Sequence, residues 1–232
     1  MTLNLGPGPL GPNPAGRFEP ALPEGGVTYV EPFYKRVRGI VGGTALVDTY
    51  GALMVHRPGK MPFLAFPESD VTGIETRPVA EAPGHVRVAW DAFDRWLEED
   101  DEIVGHFRNP YHRVDVLHSS RRLRVMLGDE VLVDTTHTLA LFETGLRPRL
   151  YVDRSLVRMD LLVPSGTHSF CAYKGSASYW HAVVDGVTHT DVAWSYDDPL
   201  GESAWIAGML SFDGDRITVE AEVPSLSRAE QT

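Results

Sequence analysis

The chain is organised around one stretch, Thr167-His-Ser-Phe-Cys-Ala-Tyr-Lys-Gly-Ser-Ala-Ser-Tyr-Trp180. It holds the only cysteine, Cys171, and one of three lysines, Lys174, which a glycine follows directly. Two other stretches, Glu143-Thr-Gly145 upstream and Ala193-Trp-Ser-Tyr196 downstream, come at the ends of strand-like runs. We therefore expect these segments to form the walls of one pocket.

The composition is that of a soluble globular protein without a nucleic-acid partner. A chain of 232 residues, 43% hydrophobic and 23% charged, can form one domain or two small ones. A net charge of −11 opposes binding to phosphate backbones. A single cysteine excludes an internal disulfide and a multi-cysteine zinc site. Since the sequence also has no membrane-length apolar run and no secretion signal, we expect a cytoplasmic protein.

Short alternating segments predict a mostly β fold. Residues 37–41 and 44–48 flank a Gly-Gly turn, and residues 179–184 and 187–190 flank an Asp-Gly turn, so each pair predicts a hairpin. Apolar residues spaced by three and four over residues 90–97 predict a short helix. Pro199 predicts the start of a second helix, which would run to residue 210.

The sequence repeats itself weakly. Val47-Asp-Thr49 matches Val133-Asp-Thr135 at an offset of 133 − 47 = 86, and Val88-Ala-Trp90 matches Val192-Ala-Trp194 at 192 − 88 = 104. The second copy would then be longer by 104 − 86 = 18 residues, in the region of Cys171 and Lys174. We predict two related antiparallel β-rich units packed as a pseudo-twofold body, each with one short helix.

This repeat predicts three segments. Residues 1–26 are rich in proline and glycine and are expected to form a flexible arm. Residues 27–120 form a first, degenerate repeat that serves as a scaffold. Residues 121–232 form the second repeat, which carries the site.

Three residues are candidates for catalysis: Glu143, Cys171 and Lys174. The Cys171 thiol, three residues from Lys174, is a candidate nucleophile or a small apolar side chain that lines a pocket. Lys174 is expected to bind an anion or polarise a carbonyl, unless it is a solvent-exposed turn residue. As a pocket residue, it should affect stability by no more than about 1 kcal/mol when removed. Glu143 is either a general base or half of an ion pair with Arg158.

Six further residues are candidates for ligand binding. Aromatic side chains at strand spacing form either a ligand platform or ordinary core. Ser195 and the Asp197-Asp198 pair could be catalytic or metal-binding, but helix capping by Asp197 or Asp198 is the better explanation. No histidine pair has the spacing of a zinc site, so we expect no metal and no cofactor. The ligand-binding candidates are Tyr151, Arg158, Tyr173, Tyr179, Trp194 and Tyr196.

From about residue 123 to residue 219 the chain resembles the family called domain of unknown function 427, which also carries a nucleotidyltransferase-like label. The resemblance rests on four pieces, with Ala172 where the family usually has proline. It implies a compact, mostly antiparallel β fold, and residues 27–120 resemble a degenerate copy, as in two-copy members. The label implies nucleotide chemistry, but the sequence has neither paired metal-binding aspartates nor the Gly-Ser motif of such transferases. The four pieces are Phe142-Glu-Thr-Gly145, Arg158-Met-Asp-Leu-Leu162, Cys171-Ala-Tyr-Lys-Gly-Ser-Ala-Ser-Tyr-Trp180, and Ala193-Trp-Ser-Tyr196 with Pro199.

These features favour a small-molecule pocket over other functions. The leading hypothesis is a metal-independent enzyme in which Glu143 and Lys174 perform acid–base chemistry, such as isomerisation or cyclisation, on a polar metabolite. The alternatives are a metabolite-binding module without catalysis, a nucleotidyltransferase-like enzyme, and a structural partner in a larger assembly. A small-molecule partner is expected, with no nucleic acid and no membrane, and the sequence leaves the oligomeric state open.

Overall fold

The structure is a computed structural model that describes residues 9–14, 16–213 and 217–221. In this part of the chain the fold is mostly β, with antiparallel sheets and only short 3-10 turns as helical segments. The chain forms two compact units, Met1–His112 (unit 1) and Arg113–Thr232 (unit 2). The predicted mostly β fold with antiparallel sheets is confirmed.

Unit 1 contains two antiparallel sheets in its described residues. One sheet has the strand order β1-β4-β5-β7-β6 and the other has the order β3-β2-β8-β9. The predicted hairpin around Gly42-Gly43 is confirmed as β2 and β3. The strands are β1 (Tyr29–Pro32), β2 (Val37–Val41), β3 (Thr44–Thr49), β4 (Leu53–His56), β5 (Phe63–Pro67), β6 (Arg77–Pro78), β7 (His85–Arg87), β8 (Arg95–Glu98) and β9 (Asp101–Ile103).

Trp96 is the centre of the core of unit 1. Its ring centroid lies 5.6 Å from that of Phe66 and 4.2 Å from that of Phe93. Across the sheet it faces Gly39, where a Cβ atom would lie 2.6 Å from the Phe93 ring, so only glycine leaves enough room. The predicted helix over residues 90–97 is wrong: a 3-10 turn, Trp90–Ala92, leads into β8. The turn brings the Trp90 ring into contact with the Trp96 ring. The apolar residues of this segment therefore share one core although they do not form a helix.

Unit 2 contains three antiparallel sheets in its described residues. Their strand orders are β10-β13-β14, β12-β11-β19 and β15-β16-β17-β18. The predicted hairpin around Asp185-Gly186 is confirmed as β16 and β17. The strands are β10 (Val114–Ser119), β11 (Leu123–Leu127), β12 (Glu130–Thr135), β13 (Thr138–Glu143), β14 (Arg149–Tyr151), β15 (Leu162–Cys171), β16 (Gly175–Val184), β17 (Val187–Ser195), β18 (Leu210–Phe212) and β19 (Thr218–Ala221).

The boundary between the units differs from the one predicted at residues 120 and 121. Strand β10 pairs along its whole length with β13, so residues 114–119 belong with unit 2. In the predicted arm, the described residues 9–14 and 16–26 form turns and bends but no strand. The rest of the predicted arm lies outside the described residues.

The predicted second helix is a single 3-10 segment, Gly201–Ile206, and Leu210 already begins β18. Its N-cap residue is Leu200, with no side-chain hydrogen bond, so capping by Asp197 or Asp198 is also wrong. Asp197 instead accepts a hydrogen bond from Arg154 at 2.7 Å. The other 3-10 turns are Glu68–Asp70, Arg154–Leu156 and Met159–Leu161.

Strand registers in unit 1 recur in unit 2. Leu53 pairs with Ala65, and Leu139 pairs with Tyr151, so both partners shift by 86 (139 − 53 and 151 − 65). The β2–β3 and β11–β12 hairpins obey the same offset. The β2–β3 pairing shifts register directly after Gly39, and the β11–β12 pairing shifts register at the equivalent position, directly after Val125.

The offset changes later in the chain. Phe66 pairs with Val86 in unit 1, and Val152 bridges to Leu210 in unit 2. The first members of these two pairs, Phe66 and Val152, are separated by 152 − 66 = 86 residues. Their partners, Val86 and Leu210, are separated by 210 − 86 = 124 residues. The intervening segment is therefore 124 − 86 = 38 residues longer in unit 2, not 18. The predicted match of residues 88–90 with residues 192–194 is wrong, since the latter lie inside β17 and the former lead into a turn. The longer segment contains β15, β16 and β17.

Among the residues that the structure describes, no helix has the length and apolar character needed to cross a membrane.

Candidate functional site

A cavity of about 490 Å³ opens in unit 2 beside the β13–β14 hairpin and the turn between β15 and β16. Its volume lies within the usual range for small-molecule sites. Its walls combine apolar, aromatic and charged side chains. The lining residues are Leu141, Glu143, Leu146, Arg147, Arg149, Tyr151, Lys174, Tyr179, Trp194, Tyr196 and Asp213.

Lys174 lies in the tight turn between β15 and β16. Its N–H donates to the Cys171 carbonyl at 3.2 Å, and its own carbonyl accepts from the Leu200 N–H at 3.1 Å. Gly175 has a φ of +94°, and a Cβ atom there would lie 3.3 Å from the Asp198 carbonyl oxygen. Glycine is therefore required after Lys174, and the turn fixes the lysine backbone on both sides.

Glu143 ends strand β13 and forms a direct ion pair with Lys174. Only 8% of the Glu143 side chain and 11% of the Lys174 side chain are exposed. A buried pair of this kind is stable only while both charges are present, because either charge alone would be desolvated without compensation. The cavity thus offers a ligand a carboxylate and an ammonium side by side.

Aromatic side chains form another wall of the cavity. Tyr151 in β14 is 1% exposed, and its hydroxyl accepts a hydrogen bond from the Trp194 indole at 3.1 Å. The Arg149 guanidinium lies 5.3 Å from the centroid of the Trp194 ring. The Tyr179 hydroxyl is 3.0 Å from the Ser169 hydroxyl. These contacts fix the rings in place before any ligand arrives.

The two buried phenols of this wall remain protonated. Burial raises the pKa of Tyr151 above its ordinary value, and the charge of Glu143 raises it further. Burial likewise raises the pKa of Tyr196, with a smaller contribution from Tyr151. At neutral pH each phenol can therefore donate a hydrogen bond.

Six of the nine predicted site residues line this cavity. They include the proposed acid–base pair and four of the aromatic ligand-binding candidates. The six are Glu143, Lys174, Tyr151, Tyr179, Trp194 and Tyr196.

The other three predicted site residues lie elsewhere. Cys171 is partly exposed and does not line the cavity, although a charge on its thiol would raise the pKa of nearby Tyr151. Tyr173 packs against an apolar cluster that includes Leu141, Tyr151 and Tyr196, but it does not itself line the cavity. Arg158 forms a bidentate pair with Asp160 at 2.9 and 2.7 Å. The suggested pair of Arg158 with Glu143 is therefore wrong, and Arg158 directly precedes the 3-10 turn Met159–Leu161.

Sequence reasoning missed five of the lining residues: Leu141, Leu146, Arg147, Arg149 and Asp213. Two of them were detectable. Residues two apart in a strand share a face, so Leu141 accompanies Glu143 and Arg149 accompanies Tyr151. Asp213 follows β18 and had no signal in the sequence.

In the described part of unit 1, the matching register positions are covered by other residues. There Val55 and Ala65 are fully buried against Val79 and Ala82. Arg57, which takes the position of Glu143, bonds Glu81 through two contacts of 2.8 Å. The turn from Val79 to Ala82 thus covers in unit 1 the surface that is open in unit 2.

A second cavity, of about 540 Å³, lies in unit 1. It is lined mainly by proline, glycine and apolar side chains from residues 9–27, together with Pro58 and Gly59. Arg17 is its one charged lining residue among those described. Because it holds no carboxylate, histidine or lysine, it is a weaker candidate for chemistry than the cavity of unit 2.

In the described part of the chain, no group of three or more histidine, cysteine, aspartate or glutamate side chains is arranged to hold a metal ion.

Unit 2 is thus a β-rich unit with an open cavity of about 490 Å³. Residues 115–223 match the model of the family described as Domain of unknown function (DUF427). The matched part of the chain contains every residue that lines the unit 2 cavity. No curated protein matches the chain.

Proposed function

We propose that unit 2 is a metal-independent enzyme that performs acid–base chemistry on a small polar metabolite. The observation that carries the proposal is the ion pair of Glu143 and Lys174, nearly buried yet lining an aromatic cavity. Titratable pairs in low-dielectric cavities are typical of sites that move protons.

In the proposed reaction the two charged groups act in concert. The Glu143 carboxylate removes a proton from carbon next to a carbonyl, while the Lys174 ammonium donates a proton to the carbonyl oxygen. Glu143 then returns its proton at a second position and Lys174 recovers its own, so that an isomer of unchanged mass leaves. Hydrogen bonds from the Tyr196 phenol would orient the polar end of the substrate.

A small-molecule extract incubated with the protein in D₂O tests this proposal. Mass spectrometry should detect a metabolite that is consumed and an isomeric product that carries deuterium. Glu143→Gln should slow the conversion by at least about 100-fold, as expected for loss of a general base. Arg158→Met, which removes an ion pair outside the cavity, is the matched control and should keep the full rate.

A non-catalytic binding module is the second candidate. It is favoured by the fact that Glu143 and Lys174 already satisfy each other, as in a structural ion pair. In this case the protein would retain a metabolite unchanged, and no deuterium would enter it. Identical product profiles from the wild-type protein and from Glu143→Gln would decide for this candidate.

Nucleotidyl transfer, the third alternative, receives no support from the donor set of the cavity. Such enzymes position phosphates with Mg²⁺ held by several carboxylates. Among the described residues, only Glu143 and Asp213 supply carboxylates to the cavity, and Glu143 is bonded to Lys174. The residues present therefore do not fit that metal centre.

The shared registers support a duplication, with unit 1 as the scaffold. Besides the strand pairs, the bidentate bond of Arg36 with Asp48 recurs as that of Arg122 with Asp134, again 86 residues apart. The 38-residue extension carries the turn with Lys174. By this account the extension created the cavity in one copy, while the other copy kept a covered surface.

The proposed setting is the cytoplasm. The one cysteine of the chain, Cys171, is free, as is usual in a reducing compartment. The net charge of −11 supports a small-molecule partner over a nucleic acid or an anionic membrane.

A further inference from the structure

Two arginines at the cavity have no carboxylate partner among the described residues. Arg147 lies in the loop after β13, and Arg149 begins β14. Both line the cavity. In contrast, Arg122 and Arg158 each form bidentate bonds with an aspartate. The chain has 32 acidic and 21 basic residues, so carboxylates outnumber the cations that could pair with them. Two arginines without a carboxylate partner at one cavity are therefore unusual in this protein.

The charges of the described residues that line the cavity add up to a local positive excess. Three cations, Arg147, Arg149 and Lys174, face two carboxylates, Glu143 and Asp213. Because Lys174 is satisfied by Glu143, the excess belongs to the arginines. A guanidinium offers a planar fork of donors that fits a carboxylate or a phosphate.

Arg149 is also held in a fixed position. It lies on the Trp194 ring, and Trp194 in turn donates to Tyr151. Its charge is close enough to Tyr151 to lower the pKa of that phenol, against the larger effect of burial. A positioned arginine loses less conformational entropy on binding an anion than a free one.

We propose that the ligand of this cavity is an organic anion with a planar apolar body. Its carboxylate or phosphate group binds Arg147 and Arg149, and its body lies against the aromatic wall, which aligns its reactive carbon with Glu143 and Lys174. The inference rests on the proposed function of the same cavity, and it adds the chemical class of the substrate.

Matched probes that differ only in charge test this inference. We would measure binding of 2-naphthoate, 2-naphthyl phosphate and neutral 2-naphthamide by ligand-observed NMR, which detects affinities in the millimolar range. An anion should bind at least about tenfold tighter than the amide, as expected for charged hydrogen bonds. The tighter of the two anions identifies the acidic group that the site prefers.

Variants assign the preference to the two arginines. The double variant Arg147→Gln/Arg149→Gln should lose it. The control variant Arg121→Gln should keep the preference for anions. The Arg121 guanidinium also lies on an aromatic ring, 5.7 Å from the centroid of Phe142, but Arg121 does not line the cavity. The inference is overturned if the amide binds as tightly as the anions, if the double variant keeps the preference, or if none of the probes binds.

This test is separable from the test of catalysis. If Glu143→Gln leaves turnover unchanged while the anion preference persists, catalysis by Glu143 is refuted and the ligand class stands. If a neutral metabolite is converted and the conversion depends on Glu143, the proposed chemistry stands and the ligand class is refuted.

Discussion

Removing one partner of the Glu143–Lys174 pair should destabilise the protein strongly, and removing both should restore most of the loss. Lys174→Met leaves a carboxylate that is only 8% exposed without its cation, and Glu143→Gln leaves an ammonium that is 11% exposed. For fully buried pairs, breaking one partner costs about 3–5 kcal/mol. Since this pair faces a cavity that water can enter, we expect the lower end, about 3 kcal/mol, for each single variant.

The double variant Glu143→Gln/Lys174→Met should be destabilised by about 1 kcal/mol, because no unpaired charge remains and the side-chain volumes are preserved. This differs from the small cost that the sequence predicts for removal of Lys174. The physical reason is its partner, which the sequence does not reveal. Arg158 and Asp160, 50% and 62% exposed, form the comparison pair and should show no measurable coupling.

Urea unfolding followed by circular dichroism, with calorimetry to separate transitions of the two units, gives the four free energies of each cycle. The expected coupling for Glu143 and Lys174 is about 5 kcal/mol, from two single losses of about 3 kcal/mol and a double loss of about 1 kcal/mol. A coupling no larger than that of Arg158 with Asp160 would refute the claim that the pair is buried and mutually dependent.

Four other outcomes are expected. Trp96→Ala should cost about 3–5 kcal/mol in urea unfolding, because Trp96 is 2% exposed and contacts several rings. Gly175→Ala should cost about 1–3 kcal/mol, from its positive φ and the close Asp198 carbonyl, and an unchanged melting temperature would contradict this account of the turn. Cys171→Ser should change ligand affinity and turnover by no more than about twofold, since Cys171 lies outside the cavity lining, and a larger loss would revive the nucleophile hypothesis. Because burial raises the pKa of Tyr196, Tyr196→Phe should leave the phenolate absorbance of the native protein at pH about 10 unchanged, whereas a loss of one phenolate would show a normal phenol.

The strands of this fold are predictable from sequence because their signals are local. The hairpin of β2 and β3 has a Gly-Gly turn between alternating segments, and β16 and β17 flank Asp185-Gly186. The helix predicted over residues 90–97 fails for a tertiary reason. Trp90 and Trp96 contact each other through a turn and a strand, and apolar spacing alone does not separate that arrangement from a helix.

The candidate site is predictable in its members but not in its pairings. Glu143, Lys174 and Trp194 were found from strand ends and turns, where β folds expose side chains. The partner of Glu143 was not found, because Lys174 lies 31 residues away in the turn between β15 and β16, and only tertiary packing brings the two together. Arg149 was missed although it shares a strand face with Tyr151.

The most direct test of the central claim is a crystal structure of the protein with the metabolite that it converts or retains. The account predicts that the ligand lies in the unit 2 cavity, with its body on the aromatic wall of Trp194 and its acidic group on Arg149. The carbon that exchanges deuterium should lie within about 3.5 Å of a Glu143 carboxylate oxygen. A ligand bound elsewhere on the protein, with this cavity empty, would contradict the account.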